Sequence, residues 1–77
     1  MELFTISLIG IKHDLMAITE GMKNAGVKTP ITGNDYITIL GYSLVMANVR
    51  MANLKMSNDA YKVYNEIEIM LNKDINY

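Results

Sequence analysis

The stretch from Tyr36 to Met56 is apolar on two sides of a helix, and this constrains the fold more than any other feature. A helix in a small globular protein normally carries one apolar stripe and one wet face. At about 100° per residue, Tyr36, Ile37, Leu40, Leu44, Ala47, Met51 and Leu54 make one apolar face. Ile39, Tyr42, Val45, Met46, Val49, Ala52 and Met56 make a second, wider one, interrupted by Asn53. Narrow polar seams divide them, with Gly41, Asn48 and Lys55 on one border and Ser43 and Arg50 on the other. A chain of 77 residues has few other helices to cover both faces. One face is therefore expected to serve the protomer's own core. The wider face is the expected interface in a homo-oligomer.

The flanking helices have simpler patterns. Phe4, Leu8, Ile11, Leu15, Ile18 and Met22 alternate in steps of four and three, a single helical seam. Gly26 suits the left-handed position just after such a helix, Val27 can fold back on its last turn, and Pro30 prevents continuation. The β-branched start, Phe4 to Ile9, would also suit a strand, but the six-member seam outweighs it. Thr32 and Asp35 have capping-box spacing, with Asn34 as an alternative cap. Ser57, Asn58 and Asp59 are poor helix formers and good caps, so the chain should break or bend there. Ala60, Val63, Tyr64, Ile67, Met70 and Leu71 then share one face of a last helix. The expectation is an all-α fold in one domain, residues 1–77. It is a helical hairpin or three-helix bundle with helices at about 4–25, 34–56 and 59–73, unless the last two run on as one.

Composition narrows the function more by exclusion than by assignment. There is no Cys, which removes disulfides and thiolate metal sites. A single His makes a zinc site held by protein side chains alone a poor prospect, so no metal or cofactor is expected. A net charge of −1, with no basic stripe, argues against nucleic acid, although Gly26-Val27 between helices faintly suggests a helix-turn-helix. The uncharged run from Tyr36 to Val49 falls short of the ~20 residues that cross a bilayer. No basic leader precedes it, and a cytoplasmic location is the default expectation. Frequent Ile, Asn and Lys would fit an AT-rich phage or mobile-element gene.

Candidate chemistry is sparse. His13 and Asp14 are neighbours that do not face each other on a helix, while His13 and Glu20 share a side that reads as solvated. No nucleophile elbow occurs, and no catalytic residues are assigned. The loop Lys28-Thr29-Pro30-Ile31-Thr32 leads into a helix N-terminus, where free N–H groups attract anions, so Lys28, Thr29 and Thr32 are candidate ligands. Arg50 and Lys55 either extend to water or line a pocket with Asn48 between subunits. The steps Met46-Ala-Asn and Met51-Ala-Asn turn the helix too far to form one repeated stripe. The functional expectation is a small non-enzymatic interaction protein, an inhibitor or accessory factor, acting as a homo-oligomer. The alternative is an oligomer that holds a small anionic ligand, such as a nucleotide, between subunits.

Overall fold

A computed structural model describes residues 2–76 as three helices, with no strand among them. Helix α1 spans Leu3–Ala25, α2 Gly33–Ala52 and α3 Asn58–Ile69, with a π-helical turn over Met70–Asp74. The all-α fold read from periodicity is the fold observed. The β-branched start is helical, and α2 and α3 are separate helices.

The punctuation follows local chemistry. Gly26 ends α1 at φ 70°, and its N–H donates to the Lys23 carbonyl at 3.1 Å. The Val27 N–H donates to the Met22 carbonyl at 3.0 Å, completing the paired C-terminal bonds that a left-handed glycine permits. Thr32 caps α2 by accepting the Asp35 N–H at 3.2 Å. Ser57 caps α3 the same way, accepting the Ala60 N–H at 3.2 Å.

Helix α2 ends four residues before the expected boundary at 56. Asn53 takes up the left-handed conformation at φ 51°, ψ 49°, and its N–H closes on the Arg50 carbonyl at 3.2 Å. Asparagine tolerates this geometry better than other residues with a side chain, so the break falls there and not at Ser57. Lys55 and Met56 consequently lie beyond the helix.

The bundle runs up, down, up. At one end the Glu2 carboxylate accepts from Thr5 Oγ1 at 3.0 Å and from Ser57 Oγ at 2.9 Å, placing the starts of α1 and α3 together. Near the other end the Asn76 N–H donates to the Lys28 carbonyl at 2.9 Å. Helices α1 and α3 are thus parallel and have the closest backbone packing, while α2 returns against them at greater distance.

Leu8, Leu15 and Met22 of α1, Ile39 and Met46 of α2, and Ala60 and Ile67 of α3 are buried in one core. Each set recurs every seven residues, which keeps side chains on one seam of a helix packed against neighbours. Met70, Leu71 and Ile75 extend the core past α3. A regular helix would carry Asp74, seven residues after Ile67, back to the core side. The wider i→i+5 turn places Ile75 there, at 4% exposure, and leaves Asp74 in solvent.

The packing reverses the two faces of α2. Ile39 and Met46, expected at an interface, are 0% and 1% exposed inside the protomer. Tyr42, Val49 and Met56 are partly buried on the same side, leaving Val45 and Ala52 as the exposed members of that expected interface. The wider face gives the core more apolar surface to bury, and two ties accompany this rotation: Tyr42, within that face, reaches Asp14 of α1, and Arg50, on its border, reaches Glu68 of α3. Both ties require the wider face to point inward.

Candidate functional site

The face turned outward is the one expected to be core. Ile37, Leu44 and Met51 are 70%, 69% and 81% exposed, and Leu40 is 51% exposed between them. Tyr36 and Leu54 continue the strip at its two ends. The inward and outward rows are centred about 150° apart around the helix. Of the twenty residues in α2 only Ile39 and Met46 are buried. A strip of large aliphatic side chains along one helix departs from the scattered exposure usual on monomers.

Its border on the Arg50 side is engaged, and further polar ties link the three helices. Arg50 Nη1 donates to both carboxylate oxygens of Glu68, at 3.0 and 3.1 Å, and Asn72 Nδ2 adds a third bond to Glu68 at 3.3 Å. An exposed pair of this kind contributes roughly 0–1 kcal/mol, so its main effect is to fix the rotation of α2 against α3. The Tyr42 hydroxyl donates to Asp14, which raises its pKa above the ordinary 10.0, with partial burial and the negative charge adding to the effect. Lys12 pairs with Glu66 between α1 and α3. That hydrogen bond and charge hold the Glu66 carboxyl below its ordinary 4.5, against a smaller opposing effect of desolvation. The pairings of Glu68, Asp14 and Glu66 have no local signal in the sequence, because each residue lies far along the chain from its partner.

The anion-site candidates are not brought together. Lys28, Thr29 and Thr32 sit at the start of α2, and Arg50 and Lys55 at its far end, about 27 Å away at 1.5 Å rise per residue. Thr32 is used as the cap, and Asp35 places a carboxylate in the same first turn. Lys28 lines an open depression beside Lys23, but Glu20 and Asp74 line it too, so its charges cancel. Asn48 and Lys55 are exposed, and Arg50 is committed to Glu68. No single protomer therefore assembles these six residues into a pocket.

A second open depression lies where the end of α2 meets the start of α3, about 200 Å³ in volume, lined partly by Leu54, Tyr61 and Tyr64. The two tyrosine rings stand 6.1 Å apart in a tilted arrangement. Among the described residues no group of three or more His, Cys, Asp or Glu could hold a metal ion. No helix among them is long and apolar enough to cross a membrane. Comparison with protein-family models, curated proteins and solved structures finds no match to this chain.

Proposed function

We propose that this chain is a small non-enzymatic interaction protein, an inhibitor or accessory factor, that works as a homo-oligomer. The observation that carries the reading is the outward row of α2, with Ile37, Leu44 and Met51 each more than two-thirds exposed. Leaving such a row in water forgoes roughly 25 cal/mol for every Å² that a partner could cover. Selection for a soluble monomer would place polar residues there at little cost to the core, since those side chains are mostly exposed. The polar groups described above support the same reading, because they are engaged in ties between helices.

The reading is tested by sedimentation of the full chain over a range of concentrations, beside a Leu44→Glu variant. Assembly of the wild type that Leu44→Glu abolishes, with helicity unchanged, supports an interface on this face. A wild-type chain that stays monomeric throughout overturns it.

A further inference from the structure

We infer that a second copy of this chain covers the outward row of α2, helix against helix and antiparallel, about a two-fold axis passing between Leu44 and Ala47. This rests on reading that face as an interface, and it adds the occupant, direction and register. Ile37, Leu44 and Met51 recur every seven residues, and Leu40 and Ala47 follow the first two by three. That is the a/d pattern of a two-helix seam. The inward row, Ile39, Tyr42 and Met46, has the same spacing and is packed by the protomer's own helices. Helix α2 thus carries two seams of one design, of which one is filled.

Side-chain size and charge choose the direction. A parallel, in-register pair would set Ala47 against Ala47 of the second copy and leave a void in the middle of the seam. An antiparallel pair instead sets Ala47 beside Leu44 of the second copy and Leu40 beside Met51, so small meets large in the central layers. Arg50 then faces Ser43 and Asn48 faces Gly41, so no like charges meet along the seam. Opposed helix dipoles add to the preference.

Area is consistent with a pair. The accessible surface is 5233 Å², against the roughly 4,700 Å² a folded monomer of this mass exposes. Two protomers that each hid the excess of about 500 Å² would bury about 1,000 Å² in all, the lower bound for a specific interface. The self-complementary patch also closes on itself, as a two-fold contact must.

The absence of cysteine makes the geometry directly readable, because any introduced pair can join only between chains. Leu40→Cys and Met51→Cys chains are mixed, oxidised and separated without reductant, and their assembly is followed by sedimentation. Both positions are at least half exposed, so neither substitution touches the core. In the antiparallel register the two cysteines face each other, whereas in a parallel pair they are about 16 Å apart along the axis. The mixed disulfide should exceed either homodisulfide about tenfold or more, given the narrow Cα separation a disulfide accepts. Dominant homodisulfides, or an assembled chain that gives neither product, would overturn the antiparallel seam and leave the oligomeric reading standing. A chain that remains monomeric overturns both.

Discussion

Replacing Ile39 and Ile37 separately by alanine distinguishes the two faces of α2 on one helix, two residues apart. Each substitution removes three carbon atoms, worth about 0.8 kcal/mol each on full burial, or about 2.4 kcal/mol. Ile39 is 0% exposed, so the whole transfer term is lost and a cavity adds to it. The expected cost is about 3 kcal/mol, within the roughly 2–5 kcal/mol seen for such core truncations. Ile37 is 70% exposed and forfeits only about 0.7 kcal/mol of burial. Alanine's better helix propensity returns a few tenths of that. Against a total stability of roughly 4–12 kcal/mol for a chain of this length, the difference is large. At 4–8 °C per kcal/mol it should separate the two melting temperatures by roughly 10–20 °C. Thermal unfolding by circular dichroism should be done at low concentration, so that assembly adds nothing to stability. Equal losses for the two variants, or a larger loss for Ile37→Ala, would refute the orientation of α2.

Three further outcomes follow from particular contacts. Ser57→Ala removes the cap on α3 and the tie to Glu2, and should cost about 1 kcal/mol in urea unfolding, while Asn58→Ala should change little. Asn53→Gly should be neutral or slightly stabilising and Asn53→Val should cost about 1–2 kcal/mol, because a β-branched residue resists the left-handed conformation. The Glu66 pKa is lowered by Lys12, so the stability from that contact is present above about pH 4.5 and is lost as pH falls through the lowered value. Lys12→Met should flatten this part of the acid-unfolding profile, and an unchanged profile would count against the pair.

Much of the bundle was legible from periodicity and punctuation. The seam of α1, the left-handed Gly26 and the Thr32 cap are local devices, and each does in the structure what its chemistry implies. The choice between the faces of α2 was not legible in the same way. Both rows are apolar and similarly spaced, and their orientation depends on pairs distant in sequence, Tyr42 with Asp14 and Arg50 with Glu68. Arg50 and Ser43 did mark a border, but a border does not say which side is inside. The early end of α2 had a visible signal, since Asn53 interrupted the wider face and asparagine accepts the left-handed turn. The burial of Ile75 had none, because it depends on the π turn that breaks the regular count after Ile67.

Sedimentation equilibrium of the unmodified chain is the most direct check on the outward row of α2 as an interface. With increasing concentration the mass should rise from the 8.7 kDa of one chain toward about twice that, and Leu44→Glu should hold it at the single-chain value. A wild-type mass that stays at 8.7 kDa across the whole range would contradict it.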